Sequence, residues 1–139
     1  MPVSRTRILA AAALAAALLV PAAPAGADPV GECQALTADQ VQTGQCLQAA
    51  LGAADHVMAG ALGALLQKAD ELDRVTGRPE ARAAVEASQV QWQAYRAAAC
   101  AVPAALAAGA SGAGQFQLGC MITLARARAA DLNALASSS

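Results

Sequence analysis

The chain has 139 residues, of which 57% are hydrophobic and 14% charged, with a formal net charge of −1. One lysine, Lys68, and scattered arginines cannot build a surface that tracks phosphates, so nucleic acid is excluded as a natural partner. Four cysteines in a chain of this size define one small domain that depends on cross-links.

Arg5 and Arg7 precede an apolar run from Ile8 to Val20, followed by Pro21 and the small residues Ala25, Gly26 and Ala27. This is the pattern of a secretory signal peptide over residues 1–27. The run of 13 residues is shorter than the roughly 20 needed to cross a bilayer. Cleavage is expected before Asp28, leaving one domain over 28–139. Cys33 follows Glu32, so no lipid-attachment site is expected and no membrane anchor. Without Arg5 and Arg7 the net charge moves from −1 to −3. The protein is expected to be secreted or periplasmic.

A first long helix is expected from Thr37 to Thr76, with Thr37 as N-cap and Gln40 three residues on. Val41, Leu47, Leu51, Met58, Leu62, Leu65, Leu66, Leu72 and Val75 recur at spacings of three and four. Gly52, Gly60 and Gly63 are places where this helix can bend. Thr76-Gly77 ends it, and Pro79 suits the first turn of the next.

The second helix is expected from Pro79 to about Cys100, with Ala81, Val85, Ser88, Trp92, Tyr95 and Ala99 inward. Gln89 and Arg96 lie on nearly the same face as Trp92, and Arg96 is read as structural, held by carbonyls near the cysteines. Pro103 is expected to stop the helix. Residues from Val102 to Gly119, with Gly109, Ser111, Gly112 and Gly114, read as an irregular loop with one short helical turn, pinned to the core by Phe116 and Leu118.

The third helix is expected from Gln117 to Leu135, carrying Met121, Leu124, Ala127, Leu132 and Leu135 inward, with Arg128 meeting Asp131 one turn on. A disordered tail is expected over about 136–139. β-branched residues are sparse and strict alternation is absent, so no strand is predicted. The fold class is all-α: a small antiparallel bundle of three helices, or four if the loop holds a short one, with two disulfides.

Cys33, Cys46, Cys100 and Cys120 permit three pairings. Neither CxxC spacing nor a second histidine suggests a metal site, so none is expected, and no cofactor. The simplest topology pairs neighbours, Cys33 with Cys46 and Cys100 with Cys120. The second bridge would then clamp the glycine-containing loop at its base. An alanine-rich core buries little apolar area per residue, so each bridge, worth about 3 kcal/mol for a loop of about 15 residues, weighs heavily.

Catalytic constellations are weak. Asp70, Glu71 and Asp73 read as a solvated patch near a helix end rather than a carboxylate pair in a cleft. His56 has no nucleophile indicated near it. Trp92 and Tyr95 suit core packing better than a ligand groove. The loop with Gly109, Ser111 and Gly112 is the feature most like a partner-binding site, because clamped exposed loops commonly carry recognition.

The order Gln89-x2-Trp92-x2-Tyr95-Arg96-x3-Cys100, then a glycine-serine loop, then Cys120-x2-Thr123-x2-Arg126 and Leu132, resembles the lysozyme inhibitor LprI-like family. Cys46 and Ala54-Asp55-x2-Met58 extend the resemblance upstream. The chain departs from the family in carrying Ala59 and Leu62 where an asparagine and an aromatic residue are usual. It also carries Gly109-Ala110-Ser111-Gly112 where the family has Gly-Gly-Ser. The resemblance implies an exported, disulfide-bonded helical domain, and Gln89, Trp92, Tyr95, Arg96 and Arg126 are read as its structural core. It also implies a non-catalytic binding activity whose partner is lysozyme or another exported protein. A helical envelope module that docks on another protein or a small ligand is the alternative.

Overall fold

The computed structural model describes residues 28–138, so the expected signal peptide lies outside the described residues. Four helices follow in order: α1 Pro29–Leu36, α2 Gln40–Thr76, α3 Ala81–Leu106 and α4 Ala113–Ser137. The all-α bundle and both neighbouring disulfides are as expected: Cys33–Cys46 with Cα atoms 5.7 Å apart and Cys100–Cys120 with Cα atoms 5.4 Å apart.

Helix α1 was not expected, although its start signal stands in the sequence. The Asp28 carboxylate accepts from the N–H groups of Val30 and Gly31 at 3.2 and 3.3 Å, and Pro29 occupies the first turn, where a missing N–H costs nothing. Its presence moves the expected cap of the next helix. Thr37 closes α1 by donating to the Cys33 carbonyl at 2.8 Å, and the N-cap of α2 is Asp39, which accepts from Gln42 N–H at 2.9 Å. Gln42 in turn accepts from Ala38 N–H at 3.2 Å, so the reciprocal cap exists two residues later than its sequence signature suggests. The Thr37 and Thr43 hydroxyls lie 2.7 Å apart and tie the two helices together.

Helix α2 is the central element. Thr43, Leu47, Ala54, Met58, Ala61, Leu65 and Ala69 form its buried stripe, which packs chiefly against Ile122, Ala125, Ala129 and Leu132 of α4. Val41, Leu72 and Val75, expected inward, are exposed near the two ends of the helix. By length and composition α2 could cross a membrane; in this fold its buried stripe packs chiefly against α4. Gly77, at φ 69°, ends it in the left-handed conformation that glycine adopts without a steric cost.

The Asp73 carboxylate reaches across the turn to the first N–H groups of α3, accepting from Glu80, Ala81 and Arg82 at 3.2, 2.8 and 3.1 Å. The Arg82 and Ala81 N–H groups hold it below the usual aspartate value. Helix α3 then runs through Pro103 to Leu106. Although a proline loses its own N–H bond and its ring crowds the carbonyl four residues back, the Pro103 carbonyl still accepts from Ala107 N–H at 3.1 Å, and the helix continues one turn further than expected.

Helix α4 begins at Ala113, earlier than the expected Gln117, and extends through Ser137, so the expected tail is helical up to that residue. Lys68 fastens this end by donating to the carbonyls of Leu135, Ala136 and Ser138. Its buried stripe is Gly119, Ile122, Ala125, Ala129 and Leu132; of the residues expected inward Leu132 is fully buried, Met121 and Leu124 are half-buried, and Ala127 and Leu135 are exposed. Gly119 is required by close approach: a Cβ there would stand 2.8 Å from a Val30 methyl, so α1 could not lie against α4.

Candidate functional site

Both disulfides lie toward one end of the bundle. The starts of α2 and α4 meet there, Gln115 Nε2 donating to the Gln40 carbonyl at 2.9 Å. The junction between α1 and α2 and the loop between α3 and α4 therefore share this end. The loop is shorter than expected, spanning residues 107–112, and it is built from successive tight turns. Ala108 N–H donates to Ala105, Ala110 N–H to Ala107 and Ala113 N–H to Ala110, at 2.9 to 3.0 Å. Ala108 and Gly109 both have positive φ, 49° and 79°, which fixes the direction of the chain at its tip.

Gly109 and Ser111 are exposed, while Gly112 is half-buried with the Phe116 ring 3.5 Å from where its Cβ would lie. Phe116 itself is half-exposed and on α4, so it covers the base of the loop instead of anchoring it in the core; Leu118 does pack against the core. Between Cys100 and Cys120 the sequence holds no charged residue. Of the acidic residues near this end, Glu32 is paired with Arg126 of α4, while Asp28 and Asp39 form no ion pair among the described residues. The loop is thus a small, uncharged protrusion at a weakly acidic end.

Residues of the expected structural set gather elsewhere, in a polar seam between α2, α3 and α4. Arg96 is 8% exposed and its Nη2 lies 2.8 Å from Asp55 Oδ1. That contact is not an aligned hydrogen bond, and Arg96 Nε has no partner either. Trp92, half-buried, has the Arg96 guanidinium 5.3 Å and the Arg128 guanidinium 5.9 Å from its ring centre, within cation–π range. Gln89, also buried, accepts from Arg128 Nε at 3.2 Å and points its amide nitrogen at the Met58 sulfur, 3.9 Å away. Arg128 also donates to Ser88 Oγ at 2.9 Å.

Four expectations change here. Arg96 is held by a carboxylate on α2 rather than by carbonyls near the disulfide. Arg128 turns to Ser88 and Gln89 on α3 and not to Asp131. Tyr95 is 58% exposed and takes no part in the core. Arg126 is exposed as well, forming a two-pronged pair with Glu32 of α1 at 3.0 and 3.2 Å. Asp55 was missed as the counter-ion, although Ala54-Asp55-x2-Met58 placed it on the helix that faces Arg96.

The acidic patch is engaged in the same structural way. Asp70 pairs with Arg82 at 2.6 Å, Glu71 with Arg74, and Asp73 caps α3. Among the described residues no group of histidine, cysteine and carboxylate side chains is arranged to hold a metal, and His56 is exposed. An open apolar cleft of about 280 Å3 runs beside α1, lined by Val30, Pro103, Phe116 and Leu124 with Asp28 at its edge.

A family model, lysozyme inhibitor LprI, matches residues 33–132. The chain belongs to the LprI family. The match begins at the first disulfide cysteine and ends at Leu132, the last fully buried side chain, so it takes in both bridges, the seam and the loop. No curated protein and no solved structure matches the chain. What sets this LprI member apart from a plain helical bundle is the clamped loop on one hand and the arginine seam on the other.

Proposed function

We propose that the protein acts outside the cytoplasm, secreted or periplasmic, as a non-catalytic binder that obstructs lysozyme or a related exported protein. The loop carrying Gly109, Ser111 and Gly112 is the contacting element. The observation that carries this reading is the loop's construction: small, uncharged, exposed at its tip, and closed at its base by Cys100–Cys120. A loop already fixed by turns and a cross-link loses little freedom on entering a cleft, so less of the contact energy is spent on ordering it. Family membership supplies the class of partner.

The acidic end favours encounter with a cationic enzyme, an effect on association rate that weakens with salt. Absence of catalysis is supported by the carboxylates, since Asp55, Asp70, Glu71 and Asp73 are committed to arginines or to a helix cap. Residues 1–27 serve as the export signal in this reading.

The test is a cell-wall lysis assay with lysozyme and the oxidised protein. Slowed lysis that disappears when the protein is reduced and alkylated is the expected result. Undiminished lysis at a large molar excess of the oxidised protein would remove the inhibitor reading, and inhibition that survives reduction would remove the clamped loop as its agent.

A further inference from the structure

The polar seam carries more positive charge than negative. Arg96 and Arg128 both lie within cation–π range of the Trp92 ring, while the carboxylate of the seam, Asp55, is paired with Arg96. Arg128, half-buried, is held by neutral acceptors instead, its Nε donating to Gln89 Oε1 and its Nη2 to Ser88 Oγ. Those bonds occupy one edge of the guanidinium and fix its plane. The other edge, Nη1 with the second N–H of Nη2, has no acceptor among the described residues, and Arg128 forms no ion pair among them, even with Asp131 one turn on. An arginine positioned by neutral groups, with its outer fork open, is arranged to grip a carboxylate with both prongs.

The same side chain lines an open cleft of about 200 Å3 between α2, α3 and α4, toward the end of the bundle away from the disulfides. Apart from Ser88 and Arg128 the lining is aliphatic, with Leu65, Val85, Leu132 and Leu135 as its larger members. Helix register separates the two chemistries. Ser88 meets Arg128 across the cleft, Leu132 and Leu135 follow Arg128 along α4, and Val85 lies one turn before Ser88 on α3. A positive charge therefore stands at one end of an aliphatic trough, an apolar site with few placed polar groups.

We propose that this cleft binds a medium-chain aliphatic carboxylate, its head on the open edge of Arg128 and its chain along Val85, Leu132 and Leu135. Arg128 and Leu135 are about 10 Å apart along α4, the reach of a chain of about six to eight carbons. A singly charged head offsets the surplus charge of the seam, whereas a phosphate dianion would bring a second negative charge beside Asp131. The reverse orientation has no anchor. Lys68, which reaches the Leu135 end, has its ammonium on the carbonyls of Leu135, Ala136 and Ser138 that close α4. The site is remote from the clamped loop and independent of the proposed contact with lysozyme.

The experiment titrates octanoate into oxidised protein purified from cells expressing the full chain, following the fluorescence of Trp92, the only tryptophan of the chain, whose ring centre is 5.9 Å from the Arg128 guanidinium. Methyl chemical shifts of Leu65, Val85, Leu132 and Leu135 locate the ligand. Saturable binding is expected with half-saturation at about 1 mM, the scale for so small a ligand. Butanoate and hexanoate should bind progressively more weakly than octanoate, by up to about fourfold for each methylene lost. Octanol and octylammonium should bind at least tenfold more weakly. Arg128→Gln should abolish binding, and because it also disturbs the seam, Leu135→Glu provides a second variant. Leu135 is 54% exposed, so that change should leave the helical circular dichroism intact while weakening octanoate tenfold or more. Octanol binding as tightly as octanoate overturns the role of Arg128, and equal affinity for butanoate and octanoate overturns the aliphatic trough. Unmoved methyl signals at saturation, or a Leu135→Glu variant that binds as wild type does, overturns the site.

Discussion

Among the described residues Asp55 is the carboxylate paired with Arg96, and replacing it with alanine leaves the guanidinium, 8% exposed, without that counter-charge. Removing one partner of a fully buried pair costs about 3 to 5 kcal/mol, because the remaining charge stays desolvated. Asp55 is itself 41% exposed, so water screens the pair and the expected loss falls to about 2 kcal/mol. For a domain of this size that is a fall of roughly 8 °C in Tm. Arg96→Met takes away both the ion pair and the guanidinium over Trp92, yet it should cost less than Asp55→Ala, since it also removes a buried charge whose Nε and Nη2 have no aligned partner. The double variant should match Arg96→Met within about 0.5 kcal/mol, giving a large coupling energy. Urea unfolding followed by circular dichroism with disulfides intact measures all three. If Asp55→Ala is the milder of the two single variants, the guanidinium is not dependent on Asp55 and the account of the seam is wrong.

Replacing Cys100 and Cys120 together by serine opens a 20-residue loop and should cost about 3 kcal/mol in the chain-entropy model, readable as a lower urea midpoint. Gly119→Val forces α1 away from α4, and a loss of about 1 to 3 kcal/mol is expected, with faster hydrogen exchange confined to Pro29–Leu36. Asp73→Ala uncaps α3 and should lower Tm at neutral pH. The Asp73 carboxyl is held below its ordinary value of 3.8 in the folded state, so its contribution is complete above that value and is lost as pH falls through the lower folded one. The Tm gap between wild type and Asp73→Ala should therefore narrow below about pH 4, and a gap that widens there would contradict the cap.

The clamped loop and the arginine seam are coupled through α3, where Cys100 stands one turn beyond Arg96 on the same buried stripe, and through α4, which carries both Cys120 and Arg128. Whatever fixes the rotation of α3 about its axis fixes both where the loop leaves the bundle and which face is left apolar to solvent. Asp55 of α2 and Arg128 of α4 supply that restraint, since each reaches a polar group of α3, Arg96 in the one case and Ser88 and Gln89 in the other.

The helical class, the long central helix and its glycine stop at Gly77 follow from spacing and composition. The neighbouring disulfides follow from the simplest topology, because these are local properties that a short stretch of chain decides. The rotation of α3 and α4 does not follow from them. With alanine on every side of a helix, moving the buried stripe by one residue changes the apolar area hidden from water very little, so Ser88 and Tyr95 look as suited to the core as Gln89 and Arg96. The decision falls to partners distant in sequence: Asp55 for Arg96, Ser88 and Gln89 for Arg128, and Val30, whose methyl admits only a glycine at position 119. Those are interactions between helices, and only their packing in three dimensions brings the groups within range.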